Sequence, residues 1–365
     1  MRTPKRTITF LGCICVGAAA VLGMLRALRH SASPLEGAQA ITSTTHWQWD
    51  RSAPAGFAMY YWSGRDDIQY VSKGTDGTPH LFRRSARAPE DVPGTEGPAV
   101  SLRNGRYAGQ LSPDGKWFVE WHRNKLRQNI PTFVSVEGGQ RRDGEPTWGM
   151  EGVWTPDSAA MVSGVWRSGA AIDRYDPSSG LRQTAAVSGL KQFYSPQHVD
   201  ASGHLVGFAD SGYILNFGKT PGLRSVNYPR TKMIRVDLAH PENRPEEWTV
   251  AVPENMDDFG RCLLAPTCDR ILWVVRGDTT PLFLRKLRGY VPGLKASSGM
   301  GYRWLVSGLH GENMHEVASY RYKLTQTKNG ALPPIPDPYG SPRWMPDGRH
   351  ISFLFRDTLY TRPVD

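Results

Sequence analysis

A short unit of turn and strand recurs along this chain and constrains its fold more than any other feature. It is clearest at Leu111–Trp121 (Leu-Ser-Pro-Asp-Gly-Lys-Trp-Phe-Val-Glu-Trp) and recurs at Trp154–Val162 and Trp344–Phe353. Proline sets φ at the first turn position, aspartate accepts hydrogen bonds from nearby backbone amides, and glycine takes up a positive φ. We therefore predict structural rather than catalytic roles for the turn residues Asp114, Gly115, Asp157, Asp347 and Gly348.

The spacing of the turns indicates a repeated four-stranded unit. Asp114 and Asp157 are 43 residues apart, and the next turn, at Ser202, follows after 45. A further 80 residues, or two steps of 40, separate Thr267 from Asp347. A period of 40–45 residues with four strands is typical of a β-propeller. The predicted fold is all-β, with seven four-stranded blades if a weak unit near position 307 is counted and six if it is not.

The proline-containing copies also resemble a known repeat. Pro-x-Trp-x-Pro-Asp-Gly at Pro342–Gly348 and Ser-Pro-Asp-Gly at Ser112–Gly115 resemble the WD40-like (PD40) repeats of TolB-type β-propellers. The likeness extends over roughly residues 50–365. It implies a propeller, and it implies a location outside the bacterial cytoplasm, where TolB-type propellers are typically found. A shared fold does not by itself imply a shared function.

The last repeat ends with too few strands to complete a blade. After His350–Phe355 and Leu359–Pro363 the sequence ends, which leaves the final blade without its outermost strand. An open strand edge invites association, so propellers protect it. Thr44–Trp49 has the alternation of a strand, and we predict that it supplies the missing strand.

The N-terminal residues have the pattern of a leader segment that targets a protein to a membrane. Thr7–Leu25 contains no charged residue and follows a basic stretch, a pattern that predicts a signal anchor or transmembrane helix at 1–30. A linker at 31–45 and a propeller at 46–365 would follow. The expected location is a single pass in the cytoplasmic membrane with the propeller in the periplasm or outside the cell. Secretion after cleavage at Ala38-Gln39-Ala40 remains the alternative.

The net charge of +10 does not indicate a nucleic-acid-binding protein. Five basic residues lie within the first thirty, where there is no acid, and the remaining basic residues alternate with acids. Nucleic-acid binding needs a concentrated basic stripe. We expect a protein or peptide partner in the cell envelope and contact with the membrane through the N-terminal helix.

The cysteines beyond the leader allow two interpretations. Cys262 and Cys268 flank a predicted turn between strands, so in an oxidising compartment they could form a disulfide, or they could remain free thiols. No second cysteine pair or nearby histidine cluster completes a four-ligand metal site. We therefore expect neither a metal nor another cofactor.

Sequence signatures of catalysis are mostly absent. The chain contains no G-x-S-x-G nucleophile elbow, so a propeller–hydrolase arrangement within this chain is excluded. We predict a non-enzymatic interaction or ligand-binding platform, with a metal-dependent lactonase or lyase at the channel mouth as the alternative. Candidate binding residues lie near the starts of the predicted innermost strands: Arg106, Tyr107, Glu151, Gln197, His198, Asp258 and Tyr339.

Overall fold

The computed structural model is all-β within the residues that it describes. These are 33–43, 60–63, 66–88, 92, 94–100, 109–149, 152–165, 170–190, 195–208, 230–251, 253, 261–278, 300–321, 342–355 and 358–365. They contain 24 strands in six four-stranded antiparallel sheets. The fold is therefore a six-bladed β-propeller.

The first three blades follow one another along the chain. Blade 1 contains β2 (Tyr60–Ser63), β3 (Asp67–Lys73), β4 (Pro79–Ser85) and β5 (Thr95–Ala99). Blade 2 contains β6 (Gln110–Leu111), β7 (Trp117–Arg123), β8 (Asn129–Ser135) and β9 (Arg141–Asp143). Blade 3 contains β10 (Gly152–Trp154), β11 (Met161–Val165), β12 (Ala171–Tyr175) and β13 (Arg182–Ala186).

The last three blades include the ring closure. Blade 4 contains β14 (Ser195–Val199), β15 (His204–Phe208), β16 (Arg230–Asp237) and β17 (Glu246–Ala251). Blade 5 contains β18 (Arg261–Leu264), β19 (Arg270–Asp278), β20 (Met300–Gly308) and β21 (His315–Arg321). Blade 6 contains β22 (Arg343–Trp344), β23 (His350–Phe355), β24 (Thr358–Pro363) and β1 (Gln39–Ser43).

The weak unit near position 307 is not a blade of its own. Ser307 lies in β20, which pairs with β19 on one side and β21 on the other. The turn after Gly308 is therefore the hairpin between the third and fourth strands of blade 5. The seven-blade count was wrong because this hairpin was taken for the turn after an innermost strand.

The recurring turn joins the first and second strands of a blade. In blade 2, Ser112 Oγ donates to Asp114 Oδ1 at 2.6 Å, and the same oxygen accepts from the Lys116 amide at 3.1 Å. In five blades the fourth turn position has a positive φ: 73° at Gly115, 60° at Ser158, 81° at Gly203, 56° at Cys268 and 63° at Gly348. A left-handed backbone conformation is thus part of the repeat, even where the residue is not glycine.

A strand from the N-terminal side closes the ring. β1 pairs antiparallel with β24, with Gln39 opposite Thr361, so the outermost strand of blade 6 is Gln39–Ser43. This strand lies in the segment assigned to the linker, whereas Thr44–Trp49, which was predicted to fill the position, lies outside the described residues. The preceding turn is fixed in place as well, because Arg362 donates to the backbone oxygen of Ser33 at 2.8 Å.

Each of the six interfaces between neighbouring blades has its own hydrophobic cluster. Between blades 2 and 3, Phe133 packs against Trp154 and Tyr175. Between blades 5 and 6, Trp304 packs against Phe353 with ring centroids 5.0 Å apart. The core is therefore a ring of contacts between sheets that surrounds the central axis.

Residues 1–32, which include the predicted leader helix, lie outside the described part of the chain. Within the described residues, no helix has the length and apolar character needed to span a bilayer. The N-terminal helix therefore remains a prediction.

Candidate functional site

A cavity of about 640 Å³ lies on the propeller axis. Residues from the innermost strands of all six blades line it, together with prolines of four recurring turns, Pro113, Pro156, Pro266 and Pro346. Its volume falls within the range of ligand sites, which are concave and mostly apolar with a few polar groups. The tyrosine and tryptophan residues among the described wall residues are Tyr61, Trp62, Trp154 and Trp344.

The position of a residue before the turn proline decides which neighbouring blade its side chain contacts. Two positions before the proline, Trp154 packs on Phe133 of the preceding blade. Three positions before it, Arg343 lies against the tyrosine rings of the following blade. The wall is therefore built from two rows of side chains that the repeat itself positions.

Arg343 is the one described wall residue that carries a full charge at neutral pH. Its guanidinium carbon lies 5.3 Å from the ring centroid of Tyr60 and 5.4 Å from that of Tyr61, within the range of a cation–π contact. Tyr60 is held by a 3.0 Å hydrogen bond between its hydroxyl and Ser352 Oγ. The interface between blades 6 and 1 thus fixes a cation in the cavity wall.

Gln197 and His198, two of the predicted binding residues, lie in the cavity wall on β14. Burial lowers the pKa of His198 to about 4, so its imidazole is neutral at pH 7 and offers one donor and one acceptor. The other predicted binding residues, Arg106, Tyr107, Glu151, Asp258 and Tyr339, lie outside the described residues.

We expect His198 to make the propeller less stable in mild acid. Its pKa is about 4 in the folded state and about 6.5 in the unfolded chain, so between these values the unfolded chain binds the extra proton. Stability is therefore full above pH 6.5 and falls toward pH 4, by at most ~1.4 kcal/mol per pH unit. Urea unfolding across this range should show a shallower pH dependence in His198→Gln, whereas exposed His240→Gln should match the native chain. Equal slopes in all three proteins would contradict the assignment.

Two wall residues contain buried polar atoms that have no hydrogen-bond partner among the described residues. These atoms are the Tyr61 hydroxyl and the Trp154 indole nitrogen. Burial raises the pKa of Tyr61 to about 12, so its hydroxyl stays protonated at neutral pH. Unsatisfied buried donors are uncommon in folded proteins. The wall thus contains two buried hydrogen-bond donors without a partner among the described residues, one on each side of blade 2.

The described residues that could together reach one metal ion lie elsewhere. Asp76, in the β3–β4 turn of blade 1, His80 on β4 and Glu96 on β5 offer ligand atoms within 4.8 Å of one another. His80 Nδ1 lies 2.7 Å from the carbonyl oxygen of Gly97, and Nε2 lies 3.1 Å from Asp76 Oδ1. Because both nitrogens face acceptors, this arrangement suits a protonated histidine, and the hydrogen bond to Gly97 is the main cause of its raised pKa.

Cys262 and Cys268 are free thiols, so the disulfide considered from the sequence is not formed. Cys268 occupies the left-handed position of its turn and packs in the cluster between blades 4 and 5. Cys262 lies on β18, at the edge of the same cluster. Burial raises the pKa of both thiols, that of Cys268 to about 12, which makes them poor nucleophiles.

Sequence reasoning missed the aromatic and cationic wall residues Trp62, Trp154, Arg343 and Trp344. The signal was present for three of them, because Trp154 and Trp344 stand two residues before a turn proline and Arg343 stands three before. The candidate binding residues predicted from the sequence lie instead near the starts of the innermost strands. The described cavity lies toward the ends of these strands, beside the turns.

No protein-family model matches the chain, and comparison of its sequence with curated proteins gives no match. The PD40 repeat family is therefore not shown by these comparisons. The resemblance to PD40 repeats that the sequence shows rests on a few copies of a short turn motif.

Solved structures that resemble the chain are propellers. A protein described as TolB from Agrobacterium tumefaciens is 14% identical, with a TM-score of 0.44, and the match covers 84% of this chain and 89% of that one. TolB from Acinetobacter baumannii is 13% identical, with a TM-score of 0.41 and coverages of 83% and 65%. An oligogalacturonate lyase from Vibrio parahaemolyticus is 9% identical, with a TM-score of 0.42 and coverages of 85% and 90%. At these identities the likeness concerns the fold alone: TolB-type and other propeller proteins are the structural neighbours of this six-bladed propeller.

Proposed function

We propose that this protein is a non-enzymatic, membrane-anchored propeller outside the cytoplasm that binds a segment of a partner protein, or another ligand, in its central cavity. The observation that supports this most is the character of the wall. Aromatic rings and prolines provide broad apolar contact, while Arg343 and neutral His198 provide a few polar groups. Such a combination is typical of binding sites for ligands with an apolar body.

The wall chemistry favours binding over metal-dependent catalysis. A lactonase or lyase of the propeller type needs several histidine or carboxylate ligands that converge on one ion. Among the described wall residues there is one histidine and no carboxylate, and the Asp76–His80–Glu96 cluster belongs to the outer strands of blade 1. A metal-dependent lactonase or lyase is the alternative function, and the experiment below distinguishes it from binding.

The way the chain enters the propeller supports an anchored arrangement. Pro34 is buried, Leu35 and Ala38 pack on the core between blades 5 and 6, and Gln39 begins the closing strand beside Thr361. A leader at 1–30 would therefore join the propeller through a very short connection, at the end of the blades where the recurring turns lie. In this proposal the turn end faces the bilayer and the opposite end faces away.

The full chain, expressed in a bacterial envelope, provides the test. We expect it to stay in the membrane pellet after alkaline carbonate extraction, and a tagged chain to recover a stoichiometric protein partner without a bound divalent metal. Recovery in the soluble fraction would contradict the anchor. Metal-dependent turnover of a lactone or a uronate-containing polysaccharide by the purified chain would contradict the non-enzymatic function and favour the rival.

A further inference from the structure

We propose that His80 is a pH-sensitive clamp, which in its protonated form ties the β3–β4 turn to the outermost strand of blade 1 and in its neutral form releases one of the two. The clamp consists of the His80 ring, Asp76 of the turn and the backbone carbonyl of Gly97 on β5. The inference concerns the outer part of blade 1 and does not depend on what the central cavity binds.

The clamp lies where the pairing of β4 with β5 is irregular. The register of the two strands shifts between His80 and Phe82, because β5 has one residue more than β4 in this interval. Such a β-bulge interrupts the ladder of backbone hydrogen bonds. Gly97 lies in this interval, and the contact of its carbonyl oxygen with the His80 ring crosses the interruption. The His80 side chain therefore attaches β5 to the blade at a point where the strand pairing itself is incomplete.

Both ring nitrogens of His80 lie next to hydrogen-bond acceptors. Nδ1 is 2.7 Å from the carbonyl oxygen of Gly97, and Nε2 is 3.1 Å from Asp76 Oδ1. A neutral imidazole has one N–H and one lone pair, so it can donate to only one of these oxygens, whereas the protonated ring donates to both. Protonation therefore decides whether the turn and β5 are held at the same time.

Two carboxylates face the ring and favour its protonated form. Asp76 approaches from the turn, and Glu96 Oε1 on β5 lies 3.5 Å from Nδ1. These are the titratable groups that face His80 among the described residues. Both are also bound to the backbone of the turn: Asp76 accepts from the Thr78 amide at 2.8 Å, and Glu96 accepts from the Thr75 amide at 3.2 Å. The turn thus holds two negative charges beside a ring that is only 14% exposed.

The pKa shifts agree with this geometry. The hydrogen bond to Gly97 is the main cause of the raised pKa of His80, and Asp76 adds to it. Hydrogen bonds from Thr78 lower the pKa of Asp76 to about 2, so this carboxylate stays ionised. Because the pKa of His80 is higher in the folded than in the unfolded chain, the clamp contributes fully below about pH 6.5 and is lost as the pH rises through the folded-state pKa. This direction is opposite to that expected for His198.

Hydrogen–deuterium exchange of the full chain in detergent, measured at pH 5.5, 7.0 and 8.5 and corrected for intrinsic exchange rates, tests the clamp. We expect the protection of β5 to fall by about 3- to 10-fold as the pH rises, which is the range that loss of one hydrogen bond implies. In His80→Gln the protection should be low throughout, because an amide cannot donate in two opposite directions. His240→Gln, in the exposed turn between β16 and β17, is the control and should match the native chain.

Two further measurements separate the clamp from a merely structural contact. Asp76→Asn keeps an acceptor oxygen but removes the charge, so the fall in protection should occur at a lower pH than in the native chain. Long-range proton–nitrogen NMR of the histidine rings should show two protonated nitrogens for His80 at pH 5.5, with the signal assigned by its absence in His80→Gln. Near-ultraviolet circular dichroism confirms that each variant is folded.

Three results would overturn the inference. The first is protection of β5 that does not change with pH in the native chain. The second is the same fall in protection in folded His80→Gln. The third is a stoichiometric divalent metal that the native chain retains and His80→Gln loses, because the ring would then be a metal ligand rather than a double donor.

Discussion

A chain that begins at Ser31 should unfold as cooperatively as the full propeller, whereas a chain that begins at Thr44 should lose its cooperative transition. The second truncation removes β1, which supplies the outermost strand of blade 6. It also removes Leu35 and Ala38 from the core between blades 5 and 6, and Ile41 from the core between blades 6 and 1. Burial of three such side chains is worth ~3–6 kcal/mol, which is comparable to the whole stability of many domains.

A third truncation, beginning at Ile41, reproduces the product of cleavage after Ala40. It keeps Thr42 and Ser43 opposite Leu359 and Thr358 but loses the pair formed by Gln39 and Thr361. It also loses the hydrogen bonds from Arg362 to the backbone oxygens of Ser33 and Pro34. We expect a melting temperature well below that of the chain beginning at Ser31.

The control for both truncations is a synthetic peptide of residues 33–43, added in excess to the chain that begins at Thr44. Because the peptide can re-form the pairing with β24, it should restore part of the transition in a concentration-dependent way. Circular dichroism melting of the three chains, with and without peptide, gives the result. Equal melting temperatures for the chains beginning at Ser31 and Thr44 would show that closure by β1 does not stabilise the ring.

The truncations also test what cleavage of the predicted leader would do to the fold. Ala38-Gln39-Ala40 fits a cleavage pattern in the sequence, but in the folded protein it forms the entry to a paired strand with Ala38 packed on the core. Cleavage there would leave an incomplete blade with an exposed edge on β24. Cleavage after Ala40 is therefore expected to leave a less stable propeller, which the melting temperature of the chain beginning at Ile41 measures.

The fold was predictable because its signal is local and repeated. The same turn chemistry recurs at Asp114, Asp157 and Asp347, and each copy reports one blade independently. The closing strand and the number of blades were predicted less well, because contacts between distant parts of the chain determine both. Gln39–Ser43 has little strand character of its own and becomes a strand because β24 offers it an unpaired edge, and the hairpin after Gly308 imitates a blade-opening turn.

The candidate site was less predictable than the fold. Gln197 and His198 were identified as residues of an innermost strand, and they do line the cavity. The position of Arg343, three residues before a turn proline, marks it as a wall residue, but the sequence does not show which residues surround it. Its environment comes from Tyr60 and Tyr61, more than 280 positions away in sequence, and only ring closure brings them together.

Substitution of Gly348 by alanine should destabilise the propeller far more than the same change at Gly203. Both residues occupy the left-handed position of the recurring turn, with φ of 63° and 81°, so both variants incur the ~1–2 kcal/mol cost of that conformation for an alanine. A Cβ on Gly203 meets nothing within 4 Å. A Cβ on Gly348 would lie 2.5 Å from Thr267 Oγ1 and 2.8 Å from its Cγ2.

The contact partner explains why the difference should be large. Thr267 belongs to the turn of the preceding blade, and its β-branched side chain has little freedom to move away. Gly115 stands in the same relation to blade 1, where its Cβ would lie 2.4 Å from Ser63 Oγ, a smaller side chain that can rotate. We therefore expect losses of ~3–4 kcal/mol for Gly348→Ala, ~2–3 for Gly115→Ala and ~1 for Gly203→Ala. Urea unfolding of the three variants measures the order.

This order would show that the turns contact one another around the ring. Ser158 provides the native comparison, because its hydroxyl accepts a hydrogen bond from the Asp114 amide of the preceding turn at 3.0 Å, at the position where Gly115 and Gly348 pack closely. The turn of one blade thus constrains the turn of the next, through a hydrogen bond in one case and close packing in others. Because Pro113, Pro156 and Pro346 belong to these same turns and line the cavity, a clash at Gly348 should also disturb ligand binding. Equal losses in all three variants would mean that the left-handed backbone alone matters and that the turns do not hold the cavity in shape.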